Sequence, residues 1–277
     1  MASAFGWLDT DNEQRKKMLE VVDLFKDEGT VDDLGIGSIR DALSDSLFPG
    51  TSVLHTRLRY VLFIPWLMKL ASERKGSPAD MSGEFRNLEY QLIGSLIDGG
   101  EGIGVIGNTA RKNLKRMPSS MYWAALGSWN ILTGDYSLEG YFRRQYDYRQ
   151  LSKRTVQTDD PGSRELIPSA GLDPLLPPPS PGLLKSVSFA LTPEEEPYLS
   201  DKIAVSTSGS MLSWLIHNQP SNSPQYVWQL DNLNDAPEPL QALVDHARRF
   251  HTTIHGATLV YNLLLARKSN RDDKVNE

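Results

Sequence analysis

The chain is expected to fold as a mainly α protein, a multi-helix bundle with a helix-turn-helix-like segment, a proline-rich linker and little or no β-structure. Three observations predict this. Apolar residues recur at three- and four-residue spacing through most segments between turns. Those segments open at cap residues or prolines and stop at glycine or proline. Only residues 226–230 suggest a brief extended piece.

Taken in order, Asp9 or Asp11 can cap a helix over residues 12–26, with Met18, Leu19, Val22 and Phe25 as its stripe. Ser38 is the expected cap of a short helix carrying Ile39, Ala42, Leu43 and Leu47, which Pro49-Gly50 ends. Thr51 or Ser52 can cap the next helix, whose run through Val61-Leu62-Phe63-Ile64 and Trp66-Leu67-Met68 is apolar on every side. Such a helix belongs in a core. A membrane span needs about 20 apolar residues; this run is shorter and contains Pro65, so no membrane partner is expected. Arg57 and Arg59 precede it and could grip phosphate or pair with Asp41 and Asp45, the ion pair being the preferred reading.

After a loop over residues 75–83, Phe85, Leu88, Leu92, Ile93 and Leu96 mark a helix over residues 84–97. Asn108 can cap a short helix bearing Arg111, Lys112, Lys115 and Arg116, and Pro118-Ser119-Ser120 restarts a second one. Together they give the helix-turn-helix outline. A further helix spans residues 137–153. Residues 155–182 are dense in proline and read as a linker or surface strap between an N-terminal domain, 1–154, and a C-terminal region, 183–277. Thr192-Pro193-Glu194-Glu195 is a capping box, a short helix surrounds Met211, Leu212, Trp214 and Leu215, and Pro237 opens a long helix to Arg267.

Composition narrows the chemistry. At 277 residues, with 23% charged and 39% hydrophobic residues, the chain is long enough for a real core. It has no cysteine, which excludes disulfides, thiolate zinc sites, iron–sulfur clusters and cysteine nucleophiles. The opening MASAFGWLDTDNEQRKK lacks a basic-then-apolar order, so the cytoplasm is the expected compartment.

Gly102, Gly104 and Gly107 match the dinucleotide fingerprint by letter, yet a helix precedes them where the mechanism needs a strand; a turn is the preferred reading. His251 and His255 share a helix face, with His246 a turn earlier. Thr252 stands where a metalloprotease needs glutamate, so polar packing is preferred to zinc. No catalytic residue, cofactor or metal site is assigned.

The basic region is the better signal. Between Arg111 and Arg154 there are nine Lys/Arg against three acids, a local excess of six in a chain of net charge −6, interleaved with five tyrosines and two tryptophans. Cations supply phosphate affinity and aromatic rings can stack on bases. The expected phosphate contacts are Arg111, Lys112, Lys115, Arg116, Arg143, Arg144 and Arg149, with Ser119 and Ser120 donating at a helix start. The alternatives are a basic face that only solvates, or one that docks on an acidic protein.

The blocks FGWLD, LGIGSIRDALSDSLFPGTS, TRLRYVLFIPW, GVIGNTARKNLKRMPSSMYWAALGSW and FHTTIHGATLVYNLLLA resemble those of an uncharacterised bacterial family. That resemblance implies a genomic setting beside helicase, phospholipase-D-like nuclease and methyltransferase genes in antiviral islands, and no assigned catalytic residue. The expected function is therefore a non-enzymatic accessory protein that binds DNA or a DNA-processing partner, such as a helicase or nuclease. A scaffold without nucleic-acid contact, and a nuclease or metal-dependent hydrolase, are the alternatives.

Overall fold

The computed structural model describes residues 35–155 and 171–268. The helix expected over residues 12–26, the first part of the proline-rich run, the side chains of Lys153 and Arg154 and the tail after Lys268 lie outside the described residues. The described residues form eight α-helices: α1 (Ile36–Leu47), α2 (Tyr60–Glu73), α3 (Pro78–Asp98), α4 (Pro118–Ser128), α5 (Leu138–Thr155), α6 (Glu195–Ser206), α7 (Met211–His217) and α8 (Glu238–Lys268). The one β-feature among them is an isolated antiparallel bridge between Leu132 and Leu172. The protein is mainly α, as its periodicity predicts.

The described residues divide into two compact units, one of residues 49–155 and 171–208, the other of residues 35–48 and 209–268. The chain therefore passes between the units at the Pro49-Gly50 corner and again after Ser208, and residues 183–208 group with the first unit rather than with the C-terminal helices.

The first unit is built on α2. Its residues from Tyr60 to Met68 are all buried, and α3, α4 and α5 pack on it. Fully burying each large apolar side chain contributes about 1.5–3 kcal/mol, so this helix dominates the core of its unit. It begins at Tyr60, later than Thr51 or Ser52 suggested. The reason is a remote partner: the Tyr122 hydroxyl on α4 accepts the Thr56 and Arg57 amides at 2.7 and 3.0 Å and donates to the Arg57 carbonyl at 2.8 Å. Backbone groups satisfied in this way have no need of a helix. Ser52 does cap, but only a turn, its hydroxyl accepting the Leu54 amide at 3.2 Å.

Two other starts also differ. The α1 N-cap is Gly35, at φ +66°, so Ser38 lies inside the helix. Helix α3 begins at Pro78, six residues before the expected start, because Ser77 and Asp80 form a reciprocal capping box with proline at the first helical position.

From Gly171 onward the proline-rich run is a strap docked on the first unit. Thr133 donates to the Gly171 carbonyl at 2.9 Å and Asp173 to that of Ile131 at 2.9 Å. The Trp66 indole donates to the Pro177 carbonyl at 2.7 Å, and the Val187 amide to Ser95 at 3.1 Å. Gly99 lies so close to Val187 that a Cβ there would meet its carbonyl. Arg59 fastens the strap from below: it donates to Ser180 Oγ, to the Ser188 carbonyl and to Glu195. Its acid partner is thus Glu195, whose capping box with Thr192 is also formed, and not Asp41 or Asp45.

In the second unit, α1 packs on α7 and α8 around Leu47, Met211, Leu215, Ala236, Leu240 and Val244. The long terminal helix runs to Lys268, as Pro237 and its apolar spacing predict. Residues 227–229 form a 3-10 turn instead of an extended piece.

Candidate nucleic-acid interface

Helix α3 is the wall from which the basic residues are presented. At Met81 and Phe85 it meets α5, with the Phe85 and Phe142 rings 5.7 Å apart. At Tyr90 and Ile93, on another flank and further along the helix, it meets the basic turn. The Tyr90 hydroxyl donates to the Lys112 carbonyl at 3.3 Å. Gly107, at φ +85°, is needed here on two counts: its left-handed backbone, and a Cβ that would come within 2.9 Å of Ile93 and Leu114. Leu114, half-buried, thereby lies with Ile93 against Gly107.

The helix expected to carry Arg111, Lys112, Lys115 and Arg116 is a single 3-10 turn, Arg111–Asn113. Gly107 starts it in a left-handed conformation, and Leu114 and Met117 are extended, the latter because Pro118 disfavours helical backbone before it. Asn108 closes the glycine turn by donating to the Gly102 carbonyl at 3.2 Å and caps no helix. Gly102, Gly104 and Gly107 form that turn, with Gly104 accepting from the Thr56 hydroxyl at 2.7 Å and the next amide but one, Ile106, held by the Tyr60 hydroxyl at 2.9 Å. Arg111 itself sits at φ +47°, unusual for a residue with a side chain. All four cations of the turn are exposed, and among the described residues they take part in no ion pair.

Both serines are engaged by groups of this chain. Ser119 is buried and its amide donates to Glu89 Oε1 at 2.8 Å. Ser120 donates its hydroxyl to the Met117 carbonyl at 2.8 Å. The positive end of α4 therefore already holds a carboxylate of this chain. Burial pushes the Glu89 carboxyl up to about 7, while the Ser119 amide and hydroxyl and the Arg86 charge pull it back. Glu89 was readable only as a gap: it completes the apolar stripe of Phe85, Leu88, Leu92 and Leu96 with the wrong residue type.

On α5 the three arginines differ. Arg143 is exposed. Arg144 is exposed and its guanidinium lies 5.2 Å from the Tyr136 ring and 5.8 Å from that of Tyr148. Arg149 is half-buried and donates to the Arg74 carbonyl at 2.6 Å, where it ties α5 to the end of α2. No hydrogen bond or ion pair among the described residues joins the α5 arginines to the basic turn; α3 carries the two groups separately.

His251 and His255 stack at 5.5 Å, with Tyr226 and Trp228 against His251. Among the described residues no three His, Asp, Glu or Cys side chains converge as a metal site. No described helix is long and apolar enough to cross a membrane.

Fold and surface together describe a mainly α-helical protein that displays an exposed basic turn. The chain belongs to DUF6361, a family of unknown function, whose model matches residues 2–275. No curated protein and no solved structure matches it.

Proposed function

We propose that the chain is a non-enzymatic accessory protein that binds nucleic acid through the basic turn at Arg111, Lys112, Lys115 and Arg116, in the antiviral setting that the family resemblance implies. One observation carries the reading: four exposed cations stand within six residues on a turn held by Leu114 and Tyr90, with no acid of the described residues paired to them. Free cations on a fixed backbone gain phosphate contacts at little ordering cost. Arg143 and Arg144 add exposed charge from α5. Retention of a labelled duplex at low salt tests the proposal. Replacing all four residues of the turn by Glu is expected to abolish retention, and retention unchanged by that reversal would refute the site.

A second reading, a protein scaffold, rests on α8. Its last turns expose Leu259, Val260, Tyr261 and Leu264 to between 54 and 62%. A helix apolar on several sides calls for a cover. Capture of a partner protein that survives nuclease treatment, with no shift of labelled DNA, would favour it.

A further inference from the structure

Resting on the nucleic-acid reading, the geometry points to a binder of the sugar–phosphate backbone that reads no bases. Sequence readout needs a helix or a β-ribbon in a groove, with side chains that pair with base edges. Neither arm of the expected helix-turn-helix supplies that. The first is a three-residue 3-10 turn. The second, α4, has Pro118 and Ser119 buried at its start, where a recognition helix carries its base contacts. The amide of Ser119 and the hydroxyl of Ser120 are spent within the protein.

The outer face of α4 offers nothing further. Its exposed positions are Ser120, Ala124, Gly127 and Ser128, none of them Arg, Lys, Asn or Gln. Trp123 keeps its indole N–H on the Tyr136 carbonyl at 2.9 Å. What remains at the surface of the described residues is point charge: four cations on a turn too short to follow a groove, and Arg143 and Arg144 on α5, with the Arg144 guanidinium lying against the Tyr136 and Tyr148 rings. Such charges neutralise phosphates, which position a duplex without specifying its sequence.

The test is a selection from a randomised duplex pool with the full chain, paired with a salt titration. The expected result is a selected pool indistinguishable from the starting one, with log affinity falling against log salt at a slope between about −3.6, for four phosphates held by the turn, and about −5.4, where Arg143 and Arg144 hold two more. Gly107→Ala, which displaces Leu114 without changing any charge, is expected to weaken binding; circular dichroism checks that the helices remain. Enrichment of one sequence by about tenfold or more would overturn the inference and leave the nucleic-acid reading in place. Failure to retain any duplex at low salt would overturn both.

Discussion

Arg59 donates to Glu195 at 2.6 Å, and the two side chains, 4 and 3% exposed, are 136 residues apart in the chain. The same guanidinium reaches Ser180 and the Ser188 carbonyl, so a single side chain at the start of α2 holds the later part of the strap together with the start of α6. Removing one partner leaves the other charged and buried. Arg59→Met or Glu195→Gln alone is expected to cost about 3–5 kcal/mol in urea unfolding. The double variant should cost clearly less than the two losses added, since the interaction can be lost only once. Additive losses would show that the pair is not coupled.

Tyr122 gives a second prediction. Its hydroxyl accepts two backbone amides and donates to one carbonyl, all in the segment leading to α2, while its ring stacks on His55 at 4.1 Å. Tyr122→Phe keeps the ring and strands the amides, with an expected loss of about 1–3 kcal/mol. Tyr90→Phe removes one exposed hydrogen bond to Lys112 and should stay within about 0.5 kcal/mol of the parent. Equal losses in thermal unfolding would argue against the clamp.

A third prediction concerns pH. The Glu89 carboxyl sits up at about 7 in the folded chain because it is buried, above its ordinary value of 4.5. Between these values the folded state holds a proton that the unfolded state has lost. Stability from this group therefore rises as pH falls from 8 to 5, by about 3 kcal/mol at most. His55 works in the opposite sense. Burial lowers its ring below 6.5 despite the contact with the Met121 carbonyl, so folding loses stability as pH falls through that value. Glu89→Gln keeps an acceptor for Ser119 and removes the first slope. It should be more stable than the parent at pH 8 and show only the His55 trend below 7. A difference between parent and variant that stays flat from pH 8 to 5 would contradict the assignment.

These three cases lie where the sequence was not legible, whereas the helices themselves largely were. Proline at the start and apolar spacing along the helix were enough to place α8 and α4, and residues 137–153 read as the α5 helix almost to its ends. Local signals failed where a remote side chain took over the backbone. Tyr122 moved the start of α2, and Glu195 replaced Asp41 and Asp45 as the partner of Arg59. The candidate site divides in the same way. The charge excess of the basic turn is written in consecutive letters, but its helical form was not realised, because Gly107 and Pro118 fix the backbone at both ends. The engagement of Ser119 by Glu89 depends on a residue 30 positions away, beyond any local pattern.

The last prediction separates the two halves of α8. Leu240 and Val244 near its start belong to the core of the second unit, whereas Tyr261 and Leu264 near its end are exposed. Leu240→Ala should cost about 2–5 kcal/mol, the usual price of a cavity in a packed core. Tyr261→Ser and Leu264→Ser should leave unfolding within about 0.5 kcal/mol of the parent, and the double variant should stay soluble at higher protein concentration, because less apolar surface is presented for association. The comparison is made by urea unfolding at two protein concentrations. If the serine variants lose stability equally at both concentrations, the end of α8 is covered within a single chain. If they lose it only at the higher one, a second copy supplies the cover. Unchanged stability at both leaves that surface to a different macromolecule, which is what the scaffold reading requires.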